Sequence, residues 1–132
     1  MAALIDTDVF SFVFKGDTRA ALYEPHLQDQ FLFLSFMSFA ELRNWILNRT
    51  WGARRIARFE KMLRKYSIQY STYEICVIWS EILHEAKLSG KPIEDADAWV
   101  AATAVALGVP LISHNSKHFK NISRLDLITE NK

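Results

Sequence analysis

The chain has 132 residues and a mass of 15.3 kDa, enough to bury one hydrophobic core and too little for two. Half of its residues are apolar or aromatic and it holds only four glycines and three prolines, which excludes disordered and collagen-like classes. A formal net charge of +1 gives no molecule-wide pull toward nucleic acid or membrane, so any electrostatic recognition has to be local.

In chain order, AALI at residues 2–5 is a short apolar run of the kind that fills a buried strand, and it stops at two carboxylates, Asp6 and Asp8. Four more such runs, at 31–34 (FLFL), 68–71, 110–113 (PLIS) and 126–129 (DLIT), read as further strands. Longer periodic segments lie between them. FMSFAELRNWILNR places Phe39, Leu42 and Ile46 on one helical stripe, and GARRIARFEKMLRKY places Ile56, Phe59, Leu63 and Tyr66 on another. YEICVIWSEILHEAKLSG ends at Gly90 and the Ala-rich DADAWVAATAVALG at Gly108, both suited to stop a helix. Strands alternating with helices over short connections predict an α/β fold, a central parallel sheet of about five strands with helices on both faces, in one domain over residues 1–132. Cys76, in the apolar stretch YEICVIW, reads as a buried and inert thiol, and a single cysteine suits a reducing cytoplasm. The first residues lack the basic start and apolar core of a secretory leader, and no apolar run nears the ~18 residues of a membrane span. A soluble, cytoplasmic protein is expected.

In parallel sheets of this kind the crevice at the carboxyl ends of the strands carries the site. Asp6 falls just past the first strand, Glu41 about one turn into the helix after the second, and Asp97 in the first turn of the Ala-rich helix, where free N–H groups favour negative charge. Three acids from three segments thus arrive at one rim. Two carboxylates about 4 Å apart repel by roughly 4 kcal/mol at an effective dielectric of 20, so a converged trio requires a divalent cation. Hard oxygen ligands, without paired Cys or a workable His set, point to Mg²⁺ or Mn²⁺ and away from zinc. Each acid taken alone also has a simpler reading. Asp8 and Asp95 immediately precede helical stretches and suit N-caps, and Asp6 by itself suits a cap or turn. Glu41 has apolar sequence neighbours, an awkward setting for an unpaired charge, and Asp97 sits between Ala96, Ala98 and Trp99.

The order LIDTDVF, then SFMSFAELRNW, then PIEDADAWVAATAVALGVPLISHNSKHF resembles the PIN-domain family, most closely the VapC-type toxins of bacterial toxin-antitoxin pairs, from Leu4 to about Phe119. The resemblance implies a three-layer PIN fold and a magnesium-dependent endoribonuclease that hydrolyses RNA phosphodiester bonds. The family's three acids fall on Asp6, Glu41 and Asp97, which the resemblance makes catalytic residues and metal ligands. Its fourth catalytic position, often Asp, falls on Asn115, which carries one charge fewer and by the resemblance orients a water or phosphate oxygen, while the residue after Asp-Thr, usually Asn, is Asp8 here. Thr7, Ser38 and Ser113 match small hydroxyl positions beside the acids and are candidate substrate contacts, although each also suits plain capping. A cognate antitoxin protein and homodimerisation are implied as well. The sequence itself adds only a surplus of aromatics, Phe36, Phe39, Trp45 and Trp51, around the Glu41 helix, most of them expected in the core; the resemblance implies that those left exposed form an apolar groove for an antitoxin helix or a second copy of the chain.

With the global charge flat, RNA contacts have to come from a local basic surface. Arg54, Arg58, Lys61 and Lys65 recur at helical spacing opposite an apolar stripe, which is either an RNA-steering face or an ordinary solvated one. His114 and His118 fall in an expected loop with no third ligand in view, and His84 lacks the second His of a zincin motif, so zinc is not expected. Two rival functions fit parts of the pattern. A haloacid-dehalogenase-type phosphatase would use the Asp-x-Asp of LIDTDVF, with Asp6 as nucleophile and Asp8 as acid/base, but it needs paired acids after a later strand where this chain opens a long helix. A noncatalytic PIN module would bind RNA or a partner without cutting.

Overall fold

Among residues 1–131, which the computed structural model describes, five strands form one parallel sheet. They are β1 (Ala2–Ile5), β2 (Phe31–Ser35), β3 (Ser67–Gln69), β4 (Leu111–Ile112) and β5 (Leu127–Ile128), in the order β3-β2-β1-β4-β5. Each lies within a residue or two of a strand expected from the sequence. Around them run α1 (Thr7–Lys15), α2 (Ala20–Leu27), α3 (Phe36–Arg49), α4 (Ala53–Leu63), α5 (Tyr73–Leu88), α6 (Asp95–Leu107) and α7 (Ser116–Phe119).

The alternation of side chains along a strand divides the interior in two. Ala3, Ile5, Leu34 and Ile112 face one layer, where they meet Val9 and Phe10 of α1, Tyr23 of α2, Leu42 and Ile46 of α3 and Phe59 of α4. Leu4 and Leu111 face the other and meet Ile75, Ile78 and Ile82 of α5, the alanines of α6 and Phe119 of α7. Central β1 is therefore apolar at every position, and each fully buried Leu or Ile contributes roughly 1.5–3 kcal/mol. The expected three layers are present.

Strand order also locates the crevice. From β1 the chain steps to β2 and β3 on one side, then returns to β4 and β5 on the other, so the direction reverses between β1 and β4. The carboxyl ends of those two strands carry Asp6 and Ser113.

Several local expectations change. Asp8 is not a helix cap: Asp6 holds that position, its carboxylate accepting from the Thr7 amide, and Asp8 sits inside the first turn of α1. At α6 the cap is Glu94 and Asp95 begins the helix. Gly108 does terminate α6, in the left-handed conformation at φ 67° that glycine tolerates without steric cost, whereas α5 ends at Leu88, two residues before Gly90. Cys76 is exposed, not buried, because Ile75, Ile78 and Ile82 occupy the inward stripe of α5 and turn position 76 to solvent.

Candidate metal and active site

Asp6 is the most enclosed acid of the rim. One carboxylate oxygen accepts from the Thr7 amide at 2.8 Å and the other from the Ser113 hydroxyl at 2.8 Å. Ser113, fully buried, also accepts from the Asn115 amide at 3.0 Å, so one hydroxyl ties the end of β4 to the end of β1. Thr7 reaches the other way, donating from Oγ1 to Glu41 on α3 at 3.2 Å. Glu41 keeps solvent contact along one side while protein crowds its carboxylate on the other, so it is less enclosed than its apolar sequence neighbours suggest. Asp97 enters from the first turn of α6, and His118 Nδ1 lies 3.0 Å from its Oδ2.

The electrostatics join these groups. Burial raises the Asp6 carboxyl above the ordinary range; the bonds from Ser113 and Thr7 oppose the rise, and the charge on Asp97 adds to it. Glu41 is raised by burial and then by the charges on Asp6 and Asp97, against the bond from Thr7. Asp97 is raised by burial, with His118 opposing and Glu94 adding. Asp6, Glu41 and Asp97 thus share one neighbourhood in which their combined ionisation is unfavourable. Among the described residues no three Asp, Glu, His or Cys side chains are grouped closely enough to hold an ion as they stand. The donor set nevertheless fits a hard divalent cation, being carboxylate oxygens whose mutual repulsion a positive charge would relieve.

Asp8 has a separate place. Its oxygens accept from the Val9 amide at 2.7 Å and from the His114 amide at 3.0 Å, which pins the β4–α7 loop to α1. Burial, then repulsion from Asp6, pushes it up to about 7. Unfolded carboxyls titrate near about 4, so the fold holds protons on these acids that the unfolded chain releases. Stability is then fully present at low pH and is lost as pH rises, for Asp8 between about 4 and about 7. Asp17, held down to about 2 chiefly by its side-chain bond from Arg19, withdraws its contribution only below about 4 and does not oppose this trend. Metal-free protein is expected to melt at a higher temperature at pH 5 than at pH 8, as measured by thermal unfolding in EDTA. A higher melting temperature at pH 8 would contradict the reading.

The remaining candidates are more scattered. Asn115 is exposed and precedes α7, and its backbone amide ties it to the rim by donating to the Ser113 hydroxyl. Ser38 is fully buried beside Ser35, which caps α3 by accepting from the Ser38 amide. Ser38 and Ser113 therefore support the rim from inside rather than facing solvent. Arg54, Arg58, Lys61 and Lys65 are exposed on or just after α4 and, among the described residues, make no ion pair with the three acids. Trp45 and Trp51 are half-buried under cations, with Lys15 and Arg49 over Trp45 and Arg55 over Trp51.

Sequence reasoning assigned His118 no role, placing it in a loop with no third metal ligand in view; a short helix, α7, carries it to Asp97. It missed His114 also, whose Nδ1 lies 2.5 Å from the Tyr23 hydroxyl. That hydroxyl also accepts from the Glu130 amide at 3.0 Å, so one phenol links His114 to the chain after β5. Neither contact has a sequence signal, since the partners stand 21 and 91 residues apart.

A PIN domain family model matches residues 3–125. The chain belongs to the PIN domain family. Among PIN-domain relatives it is 27% identical over 127 residues to "Ribonuclease VapC1" of Haemophilus influenzae strain R2866, a match covering 95% of each chain. It superposes on the VapBC-1 structure from nontypeable Haemophilus influenzae with a TM-score of 0.84 at 26% identity, covering 100% of both chains. The VapBC2 structure from Rickettsia felis, bound to a promoter DNA fragment, gives 0.86 at 19% identity over 98% of both, a likeness of fold.

Proposed function

We propose that this PIN domain, a single domain over residues 1–132, is a divalent-metal-dependent endoribonuclease and the toxin of a toxin-antitoxin pair, with magnesium its ion and manganese a substitute. The observation that supports the reading is the mutual electrostatic influence of Asp6, Glu41 and Asp97, carried by three elements, beside the switch point of a PIN sheet. The full-length match to a protein named as a ribonuclease supports it. Asp6 and Asp97 would be the main ligands and Glu41 would hold a further position, directly or through water. The ion, when bound, acidifies the attacking water and neutralises charge on the phosphorane and leaving oxygens. Thr7 and Ser113 fix the two faces of Asp6, and Asn115 orients a water or a phosphate oxygen. His118 steadies Asp97 through its Oδ2.

The Asp-x-Asp phosphatase alternative loses its footing, because the end of β4 carries Ser113, His114 and Asn115 in place of paired acids, and Asp8 is occupied with backbone amides. The test is incubation of RNA with the protein in EDTA, then in Mg²⁺ or Mn²⁺, beside a generic phosphomonoester. Cleavage of RNA only with the ion is the expected result. Phosphomonoester turnover without RNA cleavage would restore the phosphatase, and binding without cleavage would make this a noncatalytic module.

The basic side chains of α4 steer RNA phosphates in this reading. Each phosphate contact contributes about 0.7 to the salt slope on a single strand, so reversing Arg54, Arg58 and Lys61 to Glu should lower that slope by about 2. An unchanged slope would return α4 to a plain solvated face. By the same family reading the partners are a cognate antitoxin and a second copy of the chain, and the setting is the cytoplasm. Exposed Tyr73 and Val77 on α5 and Leu47 on α3 supply apolar surface for such contacts. Among the described residues no helix is long and apolar enough to cross a membrane.

A further inference from the structure

Beside the acid rim lies a cavity of about 450 Å³ that none of the roles above uses. It opens where Asp97 and His118 stand and runs between the end of α5, the α5–α6 connection and the segment after α7. Its size is near the lower end of the roughly 300–1,000 Å³ typical of small-molecule sites, which suits one nucleotide and not a stretch of chain. Ile82, Ile93 and Ile122 give it apolar wall. Lys91 and Lys117 bring two ammonium groups, and Glu85 and Glu94 two carboxylates.

We propose that this cavity receives the nucleotide adjoining the scissile phosphate of the RNA, a subsite that rests on the nuclease reading above. Apolar side chains accept the flat faces of a base, which are poorly hydrated. Lysines meet the flanking phosphates as point charges. The carboxylates can only accept hydrogen bonds when ionised, so they favour a base edge carrying an exocyclic amine and pair less well with uracil, whose single N3–H is flanked by two carbonyl oxygens that repel them. Because Asp97 belongs to both the acid rim and the cavity lining, a base seated there sets which phosphodiester bond stands before the acids. The cavity thus selects the cut site.

The experiment follows isoleucine δ1-methyl signals of the full chain in Mg²⁺ while AMP, CMP, GMP and UMP are added in turn. The signals of Ile93 and Ile122 should shift, that of Ile56 on α4 should not, and UMP should give the weakest response. Lys117→Glu should weaken binding about tenfold or more, as loss of a charged hydrogen bond does, and Ile93→Trp, which fills the cavity, should abolish the shifts. Absence of shifts at millimolar nucleotide, or shifts undiminished in both variants, would overturn the subsite. UMP binding as tightly as the others would overturn the base selection. No turnover is needed, so missing shifts together with metal-dependent RNA cleavage would remove the cavity and leave the nuclease standing. Shifts without cleavage would show that the cavity binds nucleotides but would overturn its role as a cleavage subsite along with the reaction.

Discussion

Asp6→Asn is expected to lower metal-dependent RNA cleavage by at least about a hundredfold, the scale on which removing one electrostatic partner of a transition state acts, while the protein melts at or above the temperature of the unaltered chain in EDTA. The two halves come from the same side chain. Asp6 is 6% exposed, and burial together with the charge on Asp97 makes its ionised form unfavourable in the metal-free fold. Asparagine keeps an oxygen for the Thr7 amide and removes the charge. It loses the bond donated by Ser113, worth about 1 kcal/mol, against relief of a charge held in a dry, repulsive setting. Adding Mg²⁺ should raise the melting temperature of the unaltered chain and leave that of the variant in place. Retained cleavage would take Asp6 out of the mechanism, and a large drop in melting temperature would mean that its hydrogen bonds, not its charge, dominate.

Phe59→Ala is expected to destabilise the fold by about 3–5 kcal/mol, the usual range for an aromatic ring removed from a core, as read from the denaturant midpoint. Phe59 is the one fully buried side chain of α4. Its ring meets Phe10 at 5.7 Å, Phe14 at 5.7 Å and Trp51 at 5.8 Å between centroids, all edge-on. Those neighbours come from α1 and the α3–α4 turn, so truncation leaves a hole that two elements would have to close together. A loss below about 1 kcal/mol would show that the aromatic cluster collapses to fill the space.

The sheet was legible because four of its strands are short, largely apolar runs, with β3 (Ser67–Gln69) keeping only Ile68, and α3, α5 and α6 because their inward residues repeat at helical spacing or are uniformly small. α2 was not. It buries one side chain, Tyr23, carries Pro25 inside it, and so shows no stripe to read. Cys76 was misplaced by treating an apolar run as uniformly interior, when a helix turns neighbouring positions to different faces. Of the three acids only Asp6 stands at a strand end; Glu41 on α3 and Asp97 on α6 follow from the order of elements together with the resemblance to PIN domains. Thr7, Ser113 and His118 link those acids through contacts of tertiary origin, and Asp8 departed from its expected cap for the same reason: its partner, the His114 amide, is brought near by the pairing of β1 with β4.

The last strand has a bearing on the site beyond completing the sheet. Ser113, whose hydroxyl holds Asp6, donates its amide to Ile128 at 3.1 Å. A few residues on, Asn131 grips the His114 carbonyl at 2.9 Å and accepts from Ser116. β5 is two residues long and stands at the outer edge, where fraying begins. When that margin opens, the loop that orients the first acid is unfastened with it. Warming should therefore silence the chain before its helices melt.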